Sequence, residues 1–302
     1  MKKNLYSAVF LALGCVLHAQ SAPVSRPKIT GISHVSLVAQ SLPADTKFYE
    51  QLLGWSAAPS LESPGGLRFY GAPKQWIDVA PATKPSDPPF NHVAFATSNA
   101  EQMRRYLAAH GITVPAALTR WKDGSLSFRV HDPEGNLVEF FQASAKPSPL
   151  AASPRSISSR IIHAGFVVHS APAEDAFYRK LLGFRLYWTG GMHDGVTDFF
   201  SLQVPDGTDW IEYMLNVPAN AGHRQLGVEN HFSLGVVDIH AVAKMLTARG
   251  WKPDDASHVQ MGRDGKYQLN VYDPDEVRIE YMEFTPKEKP CCAPFTGPHP
   301  QP

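Results

Sequence analysis

Four histidines occupy the same place in four copies of a short strand pattern: His34, His92, His163 and His231. In each copy apolar residues alternate with small or polar ones, as in a β-strand with one buried face. Alternate side chains of a strand point to opposite faces, so each histidine shares a face with the residue two positions later. Those residues are all small: Ser36, Ala94, Gly165 and Ser233. An imidazole can bind a metal or move a proton, and the space beside each ring favours such a role over core filling.

The histidine strands belong to a longer repeat that relates the two halves of the chain. Three pairs of segments match in order: 46–55 with 175–184, 76–79 with 210–213, and 131–139 with 272–280. A repeat that keeps register over roughly 110 residues per copy indicates that two like domains were fused. A weaker repeat relates the two histidine strands within each half, so the ancestral unit is about a quarter of the chain.

The elements around the histidines predict an α+β fold. Each quarter is typical of a strand, an amphipathic helix and two or three further strands. The predicted helices are 43–53, 100–110, 172–182 and 239–249. Each is followed by or ends at a glycine suited to a left-handed C-terminal cap: Gly54, Gly111, Gly183 and Gly250.

Composition bounds the class of protein. The chain has 302 residues, 43% of them hydrophobic, which is enough for two domains with their own cores. Its formal net charge is zero and it has no basic stripe with interleaved aromatics, so nucleic acid is excluded as a partner and a small-molecule substrate is expected. Outside the N-terminus no apolar run is long enough to span a membrane. The oligomeric state stays open.

The N-terminus is typical of a secretory signal peptide, residues 1–19. Lys2 and Lys3 precede an apolar run over 5–17, and Ala19 ends a plausible cleavage site. The sequence therefore predicts a protein exported to the periplasm or the extracellular space, an oxidising compartment. Lipoprotein anchoring at Cys15 is the less favoured alternative, because Ala12 stands where a large aliphatic residue is usual.

Pro-rich and Ser-rich stretches divide the mature chain. We predict a first domain over 30–143, a linker over 144–158, a second domain over 159–284 and a Pro-rich tail over 285–302. The tail contains adjacent cysteines, Cys291 and Cys292. They could form a strained ring, bind a soft metal together with His299 or link two chains, and a loose tail with an incidental disulfide is favoured.

This pattern resembles the vicinal oxygen chelate superfamily, which contains glyoxalase I, extradiol dioxygenases and fosfomycin-resistance proteins. The resemblance rests on the four histidine strands, the Phe-Tyr-x-x-Leu-Leu-Gly-aromatic helix ends and the two Asp-Pro…Glu closing strands, and it covers 30–284. It implies four βαβββ modules that form two open-cleft domains, each with a metal held by the first and last strands of both modules. Whether modules pair within or between halves is left open.

Position by position, the resemblance implies two metal sites. The second domain offers His163, Glu212, His231 and Glu280, and the first offers His34, Asp78, His92 and Glu139. Two imidazoles and two carboxylates suit Zn, Ni, Co, Mn or Fe(II), so one or two divalent ions are expected. Asp78 is one methylene shorter than Glu212, which leaves the first site open to being a triad with a vacant position or a decayed site.

The ligand set is most similar to that of glyoxalase I. This implies a lyase, isomerase or epimerase that acts on a small oxygen-chelating substrate through an enediolate, with Glu280 or Glu212 as the base. Glutathione is a cytosolic thiol, so lactoylglutathione is disfavoured for an exported protein. Arg263 and Lys266 flank a hairpin turn and could bind an anionic group of the substrate, or be solvated charges.

Two other functions remain open. An extradiol dioxygenase would hold Fe(II) with His163, His231 and Glu280, but Glu212 and Asn270 stand where those enzymes have a catalytic His and Tyr. A drug-binding resistance protein without catalysis is the third alternative. Such proteins usually lack the metal ligands, so the intact set argues against it.

Overall fold

The computed structural model describes residues 24–72, 74–146, 153–158, 160–255 and 257–302. The predicted signal peptide, Cys15 and the middle of the predicted linker lie outside these residues. Within them, no helix has the length and apolar character needed to cross a membrane.

The first half forms one mixed sheet of eight strands, in the order β2-β3-β4-β1-β5-β8-β7-β6. The strands are Ile29–Ala39 (β1), Ser56–Pro59 (β2), Leu67–Ala72 (β3), Gln75–Pro81 (β4), Phe90–Thr97 (β5), Thr119–Arg120 (β6), Leu126–His131 (β7) and Leu137–Gln142 (β8).

The second half repeats this sheet in the order β10-β11-β12-β9-β13-β16-β15-β14. Its strands are Arg160–Val167 (β9), Arg185–Gly190 (β10), Phe199–Gln203 (β11), Trp210–Met214 (β12), His231–Val236 (β13), Gln260–Met261 (β14), Tyr267–Tyr272 (β15) and Arg278–Glu283 (β16). Both sheets are curled and their topologies match, which confirms the α+β class and the two tandem domains.

The helices fall in the predicted places, with one addition. They are Leu42–Thr46 (α1), Ala100–Ala109 (α2), Ala171–Asp175 (α3), His223–Glu229 (α4) and Ile239–Ala248 (α5). Single π-helical segments, Lys47–Leu52 and Ala176–Leu181, extend α1 and α3. The four capping glycines have φ between +80° and +97°, as a left-handed cap requires. The sequence did not predict α4.

The modules pair within each half. β1 and β5 are antiparallel neighbours at the centre of the first sheet, and β9 and β13 take the same place in the second. On the outer side of each central strand lies a parallel partner from its own module, reached through the crossover helix. Each metal site predicted from the resemblance is therefore built by two modules of one domain.

The repeated Tyr and Asp-Pro motifs form the contact between the domains. The buried hydroxyl of Tyr49 donates a hydrogen bond of 2.9 Å to Asp273 in the second domain. In the pseudo-symmetric contact, Tyr178 donates to Asp132 in the first domain over 3.2 Å. These motifs join the two halves, so their repetition reflects the domain interface.

The C-terminal tail packs across the second sheet. Its residues Lys287 and Glu288 donate backbone hydrogen bonds to Gly265 in the β14–β15 hairpin, and Thr296 donates one to Tyr187 in β10. Because β10 and β14 are opposite edges of the sheet, the tail is a strap between them. Cys291 and Cys292 are disulfide-bonded to each other within it. A loose tail, the interpretation favoured by the sequence, is therefore contradicted.

Candidate metal centres

The small residues beside the histidines make room for the histidine of the neighbouring strand. In the first sheet Ser36 lies opposite His92, and Ala94 lies opposite His34. The second sheet repeats the arrangement. There Gly165 lies opposite His231, and a Cβ on that glycine would be 2.1 Å from the ring carbon Cε1. The central antiparallel pair thus brings two imidazoles onto one face of each sheet.

The closing strands add a carboxylate to the same face. Glu139 on β8 pairs with Ala94, and Glu280 on β16 pairs with Ser233. In both parallel pairs the glutamate is in register with the small residue, so its side chain points to the two imidazoles. The repeat therefore gives each domain two histidines and one glutamate.

The first centre consists of His34, Glu62, His92 and Glu139, whose ligand atoms all lie within 4.8 Å of one another. His92 Nε2 is 3.0 Å from Glu139 Oε2 and 3.7 Å from Glu62 Oε1. His34 Nε2 is 3.7 Å from Glu62 Oε2. Arg129 forms ion pairs with both carboxylates, at 2.6 Å to Glu62 and 2.8 Å to Glu139.

Asp78, which the resemblance assigned to this centre, is not among its members. Its carboxylate accepts hydrogen bonds from Arg68 at 2.7 Å and from the Trp76 indole at 2.7 Å. Arg68 lies directly opposite Asp78 on β3, so the ion pair forms across the strands and turns the carboxylate away from the imidazoles.

Glu62 takes the place that Asp78 leaves, and sequence reasoning missed it. It lies in the loop between β2 and β3, where strand alternation gives no indication of direction. The corresponding loop of the second domain, between β10 and β11, has no glutamate to match it. The sequence shows only a carboxylate in a loop that contains Pro and Gly, between β2 and β3, and such a signal is too weak to identify a ligand.

The second centre consists of His163, His231 and Glu280. His163 Nε2 is 3.0 Å from His231 Nε2 and 3.2 Å from Glu280 Oε2. Glu212 lies beside this cluster, with Oε2 at 3.7 Å from His231 Nε2. The Ser201 hydroxyl donates a 3.0 Å hydrogen bond to the other oxygen of Glu212. Three of the four predicted ligands therefore cluster, and the fourth lies next to them.

Burial and neighbouring charges shift the pKa of several side chains in the two centres. Burial, then Arg278 and His163, hold the pKa of His231 well below its usual value, so this imidazole is neutral as a ligand must be. Burial raises the pKa of Glu212. For Glu62 burial acts in the same direction, but the neighbouring His34, His92 and Arg129 outweigh burial and hold its pKa at about 2.

A divalent metal fits both donor sets. Imidazole and carboxylate donors suit borderline ions such as Zn, Ni, Co, Mn or Fe(II). In the first centre Glu62 Oε2 and Glu139 Oε1 are buried, and neither has a hydrogen-bond partner among the described residues. Buried carboxylate oxygens seldom stay unpartnered, and a cation would satisfy both.

The two predicted substrate-binding cations are already engaged. Arg263 donates to the Gly191 carbonyl at 3.0 Å and forms an ion pair with Asp194. Lys266 is fully buried under the strap, with Nζ 4.6 Å from the centre of the Trp210 ring and 3.7 Å from Asp264 Oδ2. Trp210 packs in turn on His163, so Lys266 supports the wall of the second centre.

A cavity of about 440 Å³ lies beside the second centre. Its walls are mixed: Met192, Phe199, Met214 and Val217 are apolar, and polar side chains such as His193 and Arg278 make up about half of the lining. Arg278 lines the cavity and also contacts His231 Nδ1 at 2.9 Å, so one side chain separates the cavity from this metal ligand. This volume is within the range of small-molecule pockets.

A family model described as the Glyoxalase/Bleomycin resistance protein/Dioxygenase superfamily matches residues 31–140 and 160–281. No curated protein matches the chain in sequence.

Solved structures of several enzymes share the fold. BphC, a halotolerant catechol dioxygenase, has a TM-score of 0.65 at 18% identity, covering 85% of this chain and 87% of that one. The 2,3-dioxygenase LapB from Pseudomonas sp. KL28 has 0.66 at 14%, covering 92% and 96%. The Mn(II)-bound glyoxalase from Novosphingobium aromaticivorans has 0.64 at 19%, covering 85% and 83%.

Proposed function

Since the chain belongs to the glyoxalase/bleomycin resistance protein/dioxygenase superfamily, we propose that its second centre is the active site of a metal-dependent lyase, isomerase or epimerase. The substrate is a small molecule with two neighbouring oxygens, one of them a carbonyl. The reaction moves a proton at the carbon next to that carbonyl.

The observation that carries this proposal is the position of Glu212. Its Oε2 is 3.7 Å from His231 Nε2, outside the three-residue cluster and within reach of a molecule bound there. Ser201 fixes the other oxygen at 3.0 Å. A partly buried carboxylate beside a metal site, held at one oxygen and open at the other, suits a general base.

In this proposal metal binding and proton transfer are carried out by different residues. His163, His231 and Glu280 would hold the metal, which would supply the positive charge that polarises the substrate carbonyl and makes the neighbouring C–H more acidic. Glu212 Oε2 takes the proton from the adjacent carbon and returns it to the neighbouring carbon. The sequence left Glu280 and Glu212 as equal candidates for the base. Geometry favours Glu212, because Glu280 is engaged with His163 at 3.2 Å.

Proton exchange tests this assignment without knowledge of the natural substrate. We would load the protein with Mn, Ni, Co or Zn and follow deuterium incorporation into α-hydroxy carbonyl compounds by NMR. Glu212→Gln should slow exchange by about 10²–10⁴-fold, the usual contribution of a general base, while the metal content stays the same. Glu50→Gln, the same chemical change on a helix outside the centres, is the control. Exchange that survives in Glu212→Gln would contradict the proposal.

Extradiol ring cleavage is the second candidate. The observation in its favour is the second cluster itself, since two histidines and one carboxylate is the set used by non-haem Fe(II) oxygenases. Among the described residues that cluster contains no third histidine, although His193 lines the neighbouring cavity. Oxygen consumption by the Fe(II)-loaded protein with catechols, in the absence of any proton exchange, would favour ring cleavage.

We also propose that the protein is exported. The signal-like N-terminus supports this, and the disulfide between Cys291 and Cys292 suits an oxidising compartment. Cell fractionation with an antibody against the second domain tests it. Mature protein that stays with the cytoplasmic fraction and keeps residues 1–19 would contradict export.

A further inference from the structure

We infer that Arg278 binds an anionic group of the substrate, so that the second centre acts on a small α-hydroxy carbonyl compound with a carboxylate or phosphate group; the inference rests on the proposed function, whose substrate class it names. Arg278 begins β16 two residues before Glu280 and therefore shares a face of the sheet with that metal ligand. It lines the cavity and also contacts His231, so it lies between the cavity and the second centre.

In the part of the chain that the structure describes, no carboxylate forms an ion pair with Arg278. Its polar contacts there are both to His231, with one terminal nitrogen 2.9 Å from Nδ1 and 3.1 Å from Nε2. Its Nε is buried and has no hydrogen-bond partner among the described residues. A guanidinium carries five N–H donors in a planar fork that fits the oxygens of a carboxylate or phosphate. Arg278 therefore offers unused donors to an anion in the cavity.

The position of Arg278 is unfavourable for metal binding unless an anion is also present. His231 Nδ1 lies 2.8 Å from the Glu229 carbonyl oxygen and donates to it, which leaves the Nε2 lone pair for a metal. The Arg278 guanidinium is 3.1 Å from that same Nε2. A guanidinium and a divalent ion at Nε2 are like charges that repel each other, most strongly where water is excluded. An acid group that contacts both cations would offset this repulsion.

The first domain has its arginine in a different place. Leu137 stands two residues before Glu139, where the second domain has Arg278. The arginine of the first centre is Arg129 on β7, which forms ion pairs with Glu62 and Glu139. Protein carboxylates therefore match the charge of Arg129, whereas the charge of Arg278 is left for a ligand.

The other charged side chains of the cavity do not replace Arg278. Among the described residues that line it, Arg278 alone is an arginine or lysine. Asp198 accepts 2.8 Å hydrogen bonds from the Met192 backbone N–H and from the Asn216 amide, so its carboxylate is already engaged. Glu229 also lines the cavity, and it is not ion-paired with Arg278 within the described ranges. An acid group that enters the cavity thus meets one permanent cation, next to a metal ligand.

Binding of three probes tests the inference without turnover. Dihydroxyacetone is neutral, hydroxypyruvate carries a carboxylate and dihydroxyacetone phosphate carries a phosphate, and all three are α-hydroxy carbonyl compounds. In isothermal titration calorimetry, Zn-loaded wild type should bind at least one of the two anions about tenfold more tightly than dihydroxyacetone, as expected for hydrogen bonds to a charged group. The anion that binds more tightly identifies the acid group.

Variants of Arg278 show whether this residue causes the preference for an anion. Arg278→Gln should abolish the preference and leave the binding of dihydroxyacetone unchanged, because it removes the charge and keeps a polar side chain. Arg278→Lys should keep part of the preference, since lysine restores the charge but not the planar fork. Arg224→Gln is the matched control, because Arg224 is an exposed arginine of α4 that is paired with Glu276. Its preference should be that of the wild type.

Metal retention gives a second readout. In a buffer without carboxylates, phosphate or sulfate, Arg278→Gln should release Zn from the second centre to the neutral chelator phenanthroline more slowly than wild type, because the neighbouring positive charge is gone. The equivalent of Zn that His163→Ala fails to bind is assigned to this centre. Addition of the preferred anion should slow release in the wild type more than in Arg278→Gln.

Three results would overturn the inference. The first is a wild type that binds neither anion more tightly than dihydroxyacetone. The second is a preference that survives in Arg278→Gln, or one that disappears equally in Arg224→Gln. The third is release of Zn from Arg278→Gln that is as fast as from the wild type or faster. Absence of proton exchange with all three probes would count against the proposed function and leave these binding readouts intact.

Discussion

Asp78 and Glu212 occupy the same place in the two sheets, yet they do different things. Each lies on the strand parallel to the first histidine strand, and each pairs across to the neighbouring antiparallel strand. Opposite Asp78 is Arg68, which draws the carboxylate into a buried ion pair. Opposite Glu212 is Ser201, which donates one hydrogen bond and leaves the other oxygen directed at His231. The cross-strand neighbour therefore influences whether this carboxylate is held in an ion pair or faces a metal centre.

The loops above the two centres differ in the same sense. In the first domain the loop between β2 and β3 places Glu62 over the imidazoles. In the second, Arg263 binds Gly191 and Asp194 of the equivalent loop, and Met192 of that loop lines the cavity beside the centre. The two repeated sheets are thus similar, and we expect the loop above each centre to determine whether a substrate can reach it.

The largest expected effect is that of removing the glutamate of the closing strand. Glu280→Ala leaves two imidazoles at the second centre, so we expect loss of its metal and of turnover. Glu139→Ala makes the same change in the first domain and should remove the first metal but spare most of the turnover. Metal analysis and exchange rates for the two variants check the comparison. A greater loss of turnover in Glu139→Ala would reverse the roles of the domains.

A single methyl group at the second centre should have the next largest effect. The added Cβ of Gly165→Ala would lie 2.1 Å from His231 Cε1, and the backbone of a central strand cannot move away. We expect the ring to be displaced and the second metal to bind at least tenfold more weakly. Ser233→Ala, opposite His163, is the control: its hydroxyl has no hydrogen-bond partner in the described part, so its removal should change little. Equal affinities in both variants would disprove the packing explanation.

Ser201→Ala should have a smaller effect that separates catalysis from metal binding. It removes the hydrogen bond to Glu212 Oε1 and leaves that oxygen without its donor. A hydrogen bond to a charged group contributes about 1.5–3 kcal/mol, so kcat should fall about tenfold or more. Metal content should not change, because Ser201 touches none of the three clustered ligands. A rise in KM at constant kcat would place Glu212 in substrate binding and not in proton transfer.

The site residues that could be predicted from the sequence are those that follow the two-residue alternation of a β-strand. The four histidines, Glu139 and Glu280 lie on strands, where alternation and the repeat fix their direction, and all six are members of the two clusters. Asp78 also lies on a strand, but its carboxylate pairs with Arg68 and does not join the cluster. Arg68 is its neighbour in the sheet and lies ten residues away in sequence. Glu62 and the strap lie in segments without a repeating pattern of apolar residues, so their positions can be seen only in the folded structure.

The smallest effect concerns the interface that keeps the two domains together. Asp45 is buried in α1, and both of its carboxylate oxygens are without a hydrogen-bond partner in the described residues. Burial, with repulsion from Asp273 and Asp275, raises the pKa of Asp45 to about 8. The folded protein therefore holds a proton that the unfolded chain releases near pH 4, and this contribution to stability is lost as the pH rises from about 4 to about 8.

At constant metal saturation, the Tm should thus fall between pH 5.5 and pH 8.5, and Asp45→Asn should fall less. The difference should be a few degrees, since about 1 kcal/mol shifts the Tm by roughly 2–4 °C in a protein of about this size. Asp255→Asn, at an exposed position, should follow the wild type. Asp273 has a pKa raised to about 7 by burial, so part of the pH dependence should remain in Asp45→Asn. A wild-type Tm that rises over this range would contradict the prediction, because it would show that Asp45 is ionised in the folded state.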